Sequence, residues 1–209
     1  MNNNNLTLYS FRRCPYAIRA RMALAFAQIP YQTIEVDLKN KPQSLIELSP
    51  KATVPVLLIE NNNSSANPKK IIDQSIQICI YALSQNDPHN LYQYTLPQQQ
   101  KFQTLLKHND ENFKPKLDAY KYHSNQTQKT PAQLFAQCLD FLKTLEKNLT
   151  QTKFLITNHL TLIDIAIFPF IRQFANCNLN QFNNNKYKKL QNWLNHFLKD
   201  PIFKQIMKK

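Results

Sequence analysis

The stretch Leu6-Thr-Leu-Tyr-Ser-Phe-Arg-Arg-Cys-Pro-Tyr-Ala17 decides the beginning of the fold. Its first four residues alternate between apolar and polar and favour a β-strand, and Ala17 to Ala27 is rich in alanine, methionine and leucine at helical spacing. Phe11 to Pro15 interrupts the strand pattern before the helix begins. The sequence therefore predicts a strand followed by a helix, with Cys14 at their junction.

Further segments of the first 85 residues carry strand and helix signals in regular succession. They are a strand with alternating faces from Tyr31 to Asp37, a short helix from Pro42 to Leu48, strands Val56 to Ile59 and Lys70 to Ile72 around a polar loop from Asn61 to Pro68, and a helix from Ser75 to Leu83. We therefore expect a βαβ unit and a helix, followed by a ββα unit.

The remainder of the chain contains no convincing strand. It has helical patterns near Gln98–Tyr122, Pro131–Leu149, Leu162–Ala175 and Lys186–Phe197, and a short end after Pro201. Thr161 and Asp164 have the spacing of a capping box at the start of the third of these helices. The predicted domains are 1–85 (α/β) and 98–209 (all-α), with an irregular linker at 86–97.

Composition excludes several classes of protein. The 209 residues are 43% hydrophobic and 11% aromatic, which is enough to form packed cores and too much for a disordered chain. The chain contains no glycine, although ordinary usage of about 7% predicts roughly 15. We attribute this to composition bias or to exclusion of glycine. Asparagine, which is abundant, also tolerates left-handed backbone.

Charge, cysteines and hydropathy narrow the functions further. The net charge of +13 is spread along the chain, so we expect a solvated basic surface and no nucleic-acid partner. The four cysteines are widely spaced and include no CxxC pair, so neither a metal site nor a disulfide scaffold is expected. No apolar stretch reaches the roughly 20 residues that span a bilayer, and the start lacks a signal-peptide pattern. The prediction is a cytoplasmic protein without a membrane partner.

Cys14 is the candidate for chemistry. At the start of a helix, unpaired amides and the positive end of the helix dipole stabilise a thiolate, and Arg12 and Arg13 add positive charge. Position 17, where a dithiol redox helix has its second cysteine, is alanine. A mixed disulfide on Cys14 therefore needs an external thiol to resolve it, and glutathione is the obvious small cytosolic thiol.

Thr53-Val-Pro-Val56 places a proline directly before an apolar strand. A central strand tolerates proline at its first residue or at a turn, so we predict a cis bond between Val54 and Pro55. Such a turn leaves the Val54 amide and carbonyl available to an extended peptide ligand.

Three segments in this order and spacing resemble the soluble glutathione transferase family, in its cysteine-type, omega-like branch. They are Tyr9-Ser-Phe-Arg-Arg-Cys-Pro-Tyr-Ala-Ile-Arg-Ala-Arg21, Thr53-Val-Pro-Val56 and Ile72-Asp-Gln-Ser75. The box from Thr161 to Asp164 resembles the folding box of the family's helical domain, and Asn109 to Tyr122 resembles a bacterial subgroup. The resemblance implies a thioredoxin-like N-terminal domain, a C-terminal helical bundle and a homodimer.

The resemblance also implies how glutathione, as co-substrate, is held. Cys14 is expected to meet its sulfur, Lys41 to pair with a carboxylate, Val54 to bond the cysteinyl backbone, and Ser75 to hold the γ-glutamyl carboxylate at a helix start. Gln74 departs from the family pattern, which has an acidic residue for the γ-glutamyl ammonium. Ala52 stands where relatives often have glycine.

Several alternatives remain open at this point. Tyr9 and Ser10 are rivals of Cys14, because other branches activate glutathione with a hydroxyl, which favours conjugation of electrophiles over thiol exchange. Tyr120 and Tyr122 are candidates for an electrophile site, with aromatic core packing as the other interpretation. We expect an enzyme that acts on a small-molecule or protein mixed disulfide. The alternative is a non-catalytic binding or regulatory protein of the same fold.

Overall fold

The computed structural model describes residues 4–61, 69–124, 128–184 and 186–208. The chain divides into two compact units, Met1–Tyr92 together with Ile202–Lys209, and Gln93–Pro201. Residues 62–68 of the predicted polar loop lie outside the described residues.

The first unit contains a four-stranded mixed sheet and helices within its described residues. Its elements are β1 (Asn4–Ser10), α1 (Pro15–Phe26), β2 (Gln32–Glu35), α2 (Gln43–Leu48), β3 (Val56–Asn61), β4 (Lys70–Ile72) and α3 (Ser75–Gln85). The strand order is β2-β1-β3-β4, with β1 parallel to β2 and antiparallel to β3, and β3 antiparallel to β4. This arrangement confirms the predicted thioredoxin-like domain.

The alternation predicted from Tyr31 to Asp37 is confirmed only at its end, where Val36 is buried. All four residues of β2 itself are exposed, including Ile34 at 37% of its surface. The reason is the position of β2 at the edge of the sheet, where it pairs with β1 on one side and with no strand among the described residues on the other. Alternation in the sequence indicated the strand but not its exposure.

Helix α1 ends in a Schellman motif built without glycine. The amide of Ile29 donates to the Leu24 carbonyl at 3.0 Å, and the amide of Gln28 donates to the Ala25 carbonyl at 3.0 Å. This closure needs a left-handed residue at Gln28, which has φ 55°. Ala52 and Asn90 are also left-handed, with φ 47° and 53°, so asparagine fills one of these three positions.

The second unit is helical, as predicted. Its helices are α4 (Leu96–Lys107), α5 (Lys114–Lys121), α6 (Pro131–Gln151), α7 (Leu162–Ala175), α8 (Leu179–Asn183) and α9 (Lys188–Lys199). The helix predicted over Gln98–Tyr122 is interrupted between α4 and α5 by a π-helical segment, His108–Phe113. Pro115 follows this segment and has no amide proton for an α-helical bond, which accounts for the irregular turn before it.

Two features of the second unit were not predicted. Helix α8 is capped at its start by Asn178, whose Oδ1 accepts from the Gln181 amide at 3.0 Å. Helix α9 is capped from another helix, because the Glu146 carboxylate accepts from the amides of Lys189 and Leu190 at 3.1 and 2.7 Å. The Asn-x-x-Gln spacing is a local signal that could have revealed α8.

Asp164 holds the beginning of α7 from a fully buried position. Its carboxylate accepts hydrogen bonds from the amide and hydroxyl of Thr161 at 3.2 and 2.9 Å. It also accepts from the Leu155 amide at 2.9 Å and from Trp193 Nε1 at 3.0 Å. Burial raises the pKa of Asp164, and these four hydrogen bonds oppose that increase. The expectation that Asp164 caps back onto Thr161 is confirmed.

The last helix, α10 (Pro201–Ile206), ends among residues that cluster with the first unit. Arg21 on α1 donates from Nη1 to the Ile206 carbonyl at 2.8 Å. This contact joins the end of α10 to α1 within the first unit. The boundaries predicted at 85 and 97 stay predictions.

Gln28→Gly is expected to stabilise the protein by between about 0.5 and 1 kcal/mol. Removing the β-carbon relieves the cost of the left-handed backbone, and the greater freedom of glycine in the unfolded chain offsets part of the gain. Urea denaturation measures the change as a higher midpoint. Gln28→Ala keeps the β-carbon and is the control, so an equal gain in that variant would contradict the backbone explanation.

Thr161→Ala is expected to destabilise the protein by about 2 kcal/mol. The substitution removes a hydroxyl that donates to a buried carboxylate, and bonds to charged groups are stronger than neutral ones. Thr161→Ser keeps the hydroxyl and is expected to restore most of the loss. Thermal melts of both variants test this, and equal melting temperatures for the alanine and serine variants would show that the hydroxyl contributes nothing.

Candidate active site

The four loops that carry the predicted site residues lie together at one end of the sheet, where the strands begin or end. β1 and β2 are parallel, with Ser10 opposite Glu35, so both end there. β3 is antiparallel to β1 and therefore begins at this end, where Val56 lies opposite Tyr9. β4 is antiparallel to β3 and therefore ends here, where Ile72 lies opposite Leu57. The topology alone therefore gathers the loops after β1, β2 and β4 with the loop before β3.

Cys14 lies directly before the first residue of α1 and is half-buried. Its amide donates to the Phe11 carbonyl at 3.0 Å, and its carbonyl accepts the Ile18 amide at 2.9 Å, so a turn and the first helical bond fix its backbone. Pro15 occupies the first helical position, where no amide proton is needed. The thiol therefore stands at the amino end of a 12-residue helix.

Val54 lies against Cys14. The Cys14 thiol donates to the Val54 carbonyl with an Sγ to O distance of 3.7 Å, across 40 residues of sequence. The peptide bond between Val54 and Pro55 is cis, as predicted. Ala52, in the same loop, occupies the left-handed region with φ 47°. Two residues singled out separately in the sequence are thus in direct contact.

Positive charge around Cys14 comes from a residue that the sequence analysis missed. The buried Arg21 guanidinium interacts electrostatically with Cys14, and its Nη2 donates to the Arg12 carbonyl at 2.6 Å. Burial lowers the pKa of Arg21. The spacing was a usable signal, because residues seven apart on a helix share a face and Arg21 follows Cys14 by seven. Arg13 instead is exposed and lies over the Phe11 ring.

Gln74 and Ser75 stand at the beginning of α3. Gln74 is the exposed N-cap residue, and Ser75 is the first helical residue, with 8% of its surface exposed. The neighbouring Asp73 is engaged elsewhere, because its Oδ2 lies 3.1 Å from Lys51 Nζ and accepts from Ser49 Oγ at 3.4 Å. Gln74 therefore presents a neutral amide beside an amino terminus, and Asp73 already has partners.

Lys41 lies half-buried in the loop between β2 and α2. Within the described ranges its ammonium forms no ion pair. Its loop lies at the same end of the sheet as those of Cys14 and Val54, but no hydrogen bond or ion pair joins Lys41 to either residue.

The rival hydroxyls are less accessible than Cys14. Tyr9 is 4% exposed and packs in a core cluster with Val36, Leu45 and Val56. Ser10 is fully buried, and its hydroxyl has no hydrogen-bond partner among the residues described. The protein would have to rearrange before a substrate at the half-buried Cys14 thiol could reach either hydroxyl.

The remaining candidates are placed in cores or at the surface. Tyr120 is 5% exposed and packs on Phe135 and Phe174, which favours the core interpretation, while Tyr122 is 69% exposed. Cys79 and Cys138 are buried, and burial raises the pKa of Cys138 to about 12. Cys177 is half-buried, and burial raises its pKa as well.

The described part of the chain holds no group of three or more histidine, cysteine, aspartate and glutamate side chains that could bind a metal ion. In the same residues, every helix is too short or too polar to cross a bilayer.

Two family models match the chain. The first, "Glutathione S-transferase, N-terminal domain", matches residues 13–85, and the second, "Glutathione S-transferase, C-terminal domain", matches residues 95–201. The first match includes Cys14, Lys41, Val54, Gln74 and Ser75. Together the two matches cover the two parts of the chain in the order that the sequence analysis predicted.

Individual proteins are similar over nearly the whole chain. Pyrimidodiazepine synthase of Drosophila melanogaster is 27% identical over 203 residues, covering 94% of this chain and 78% of that protein. Glutathione S-transferase omega-1 of Sus scrofa is 25% identical over 205 residues, with coverage of 94% and 78%. A glutathione transferase structure from Pseudomonas putida, with one glutathione disulfide bound per subunit, has a TM-score of 0.81 at 19% identity, covering 98% of this chain and 91% of that one.

Proposed function

The chain belongs to the glutathione S-transferase family, and we propose that it is a glutathione-dependent thiol transferase whose nucleophile is Cys14. The observation that carries the proposal is the position of the Cys14 thiol. It is half-exposed at the amino end of α1 and 3.7 Å from the Val54 carbonyl, whereas Tyr9 and Ser10 are buried. The omega-class relatives and the glutathione disulfide in the Pseudomonas putida structure support the same chemistry.

The proposed reaction exchanges one disulfide for another. The Cys14 thiolate attacks the glutathione sulfur of a mixed disulfide, forms a Cys14–glutathione disulfide and expels the acceptor as a thiolate, which takes a proton from water. A second glutathione thiolate attacks the glutathione sulfur on Cys14 and releases glutathione disulfide. The acceptor is reduced by two electrons, two glutathiones are joined, and Cys14 returns to its initial state.

The environment of Cys14 suits this cycle. The amino end of α1 and the Arg21 guanidinium both favour negative charge on the thiol and on the departing sulfur. Because residue 17 is alanine, no neighbouring cysteine on α1 can resolve the mixed disulfide within the chain. An external thiol must therefore complete each turnover.

We assign glutathione to the loops after β1, β2 and β4 and the loop before β3, which lie at one end of the sheet. Val54 would pair with the cysteinyl backbone, and Ser75 with the amides that begin α3 would hold the γ-glutamyl carboxylate. Lys41 would pair with the glycyl carboxylate, and Gln74 would accept from the γ-glutamyl ammonium. We also propose that the protein acts as a homodimer in the cytoplasm on a small-molecule or protein mixed disulfide.

Cys14→Ser is expected to abolish reduction of a glutathionylated model peptide while calorimetry shows glutathione binding largely unchanged. A serine hydroxyl is a much weaker nucleophile than a thiolate at neutral pH, but the proposed binding contacts lie on other residues. Cys177→Ser changes the other half-buried cysteine and is the matched control. Wild-type turnover in Cys14→Ser would overturn the mechanism, and loss of peptide reduction without loss of glutathione binding in that variant would support it.

Gln74→Glu is expected to tighten glutathione binding by roughly 1 kcal/mol, about fivefold, because a carboxylate pairs with the ammonium more strongly than an amide does. Lys51 is already paired with Asp73, which leaves the new carboxylate available to the ligand. Calorimetry measures both forms.

The control for this prediction is Gln77→Glu, which adds the same charge at an exposed position of the same helix. Equal tightening in both variants would indicate a general electrostatic effect. Unchanged or weaker binding in Gln74→Glu would show that Gln74 does not contact the ammonium. The role of Cys14 would not be affected, because the Cys14→Ser variant tests it separately.

A further inference from the structure

The backbone of Arg12, two residues before Cys14, is held by two ionised side chains. Its amide donates to Glu35 Oε1 at 2.8 Å, and its carbonyl accepts from Arg21 Nη2 at 2.6 Å. We call these two hydrogen bonds the Arg12 clamp. Each joins a neutral backbone group to a charged one, and such bonds are stronger than those between two neutral groups.

The clamp acts on the turn that joins β1 to α1. The Cys14 amide donates to the Phe11 carbonyl at 3.0 Å and closes this turn, so Arg12 and Arg13 are its two central residues. The closing bond uses neither the amide nor the carbonyl of Arg12. The clamp therefore restrains two backbone groups that the turn itself does not fix.

Glu35 reaches Arg12 from the edge strand of the sheet. It is the last residue of β2 and lies opposite Ser10, the last residue of β1. Its side chain therefore extends the contact between the two strands into the loop that follows β1. Glu35 is exposed, so its replacement leaves the packing of the core intact.

Arg21 holds the other side of the Arg12 backbone from a rigid position. Its guanidinium is buried and also donates to the carbonyls of Ala17 and Ile206, at 3.4 and 2.8 Å. The planar fork of arginine presents these donors in fixed directions. The loop before Cys14 is thus held between a fixed cation on α1 and a carboxylate at the end of β2.

The position of this loop matters because the stabilisation of a thiolate by a helix terminus falls off within the first turn of the helix. The Cys14 thiol lies at the amino end of α1 and 3.7 Å from the Val54 carbonyl. A loop that moved would carry the thiol away from the helix terminus and from Arg21. The reactivity of Cys14 therefore depends on groups that hold the loop without touching the sulfur.

We propose that Glu35 is a positioning residue for the chemistry of Cys14, acting together with Arg21 through the backbone of Arg12. This proposal rests on the proposed role of Cys14 as the nucleophile. It gives the edge strand β2 a part in the reaction that its exposure and its sequence pattern do not indicate.

The test uses the opposite signs of two effects of Glu35 on the pKa of the Cys14 thiol. A nearby carboxylate disfavours a thiolate, so by charge alone Glu35→Ala would lower the pKa of Cys14. If Glu35 instead positions the loop, Glu35→Ala raises that pKa and slows alkylation of Cys14 by iodoacetamide at neutral pH about fivefold. The rate is measured over a series of pH values, and mass spectrometry of the Cys14 peptide separates this reaction from that of Cys177.

Two further variants complete the experiment. Glu35→Gln keeps an oxygen that can accept from the Arg12 amide and is expected to react within about twofold of the wild type. Glu60→Ala removes a carboxylate at the opposite end of the sheet, where Glu60 lies opposite Asn5, and is expected to leave the pH profile unchanged. A lowered or unchanged pKa in Glu35→Ala would overturn the proposal, as would equal slowing in Glu35→Gln and Glu35→Ala.

This experiment needs no glutathione and no acceptor, so its outcome is distinguishable from that of the proposed function. Wild-type turnover in Cys14→Ser would overturn the thiol-transferase mechanism whatever the alkylation rates are. A normal pH profile in Glu35→Ala would overturn the role of Glu35 and leave that mechanism standing.

Discussion

The pairing of β1 with β3 is the constraint on which the site depends. Because the two strands are antiparallel and Tyr9 lies opposite Val56, the chain leaves β1 toward Cys14 at the same end of the sheet where it enters β3 from Val54. A register shift by one residue would turn Tyr9 out of the cluster formed with Val36 and Leu45. The burial of that cluster therefore also fixes the distance between the Cys14 thiol and the Val54 carbonyl.

Absence of glycine limits the backbone without preventing the fold. Gln28, Ala52 and Asn90 adopt left-handed conformations. This conformation costs roughly 1 to 2 kcal/mol for glutamine and alanine, whereas asparagine tolerates it more readily. Gln28 and Asn90 are exposed and Ala52 is half-buried, so the β-carbons meet little steric opposition from neighbouring segments. The fold therefore needs left-handed backbone at these three positions, and residues with a β-carbon can adopt it at some loss of stability.

Local signals in the sequence were sufficient for features whose causes are local. The strand before Cys14, the helix after Pro15 and the cis bond before Pro55 follow from periodicity and proline chemistry, and all are present. The exposure of β2, the capping of α9 by Glu146 and the role of Arg21 depend on partners distant in sequence. Periodicity reports that a face is apolar but not which segment covers it, so these features required the structure.

Arg21 connects two segments of the first unit that lie far apart in the sequence. Its guanidinium holds the Arg12 carbonyl, two residues before Cys14, and the Ile206 carbonyl near the end of the chain. A lysine has a single nitrogen and could not reach both carbonyls, whereas the planar guanidinium presents donors in several fixed directions. The same guanidinium carries a permanent positive charge that interacts electrostatically with Cys14. The geometry of the Cys14 loop and the electrostatics around its thiol therefore both depend on one side chain.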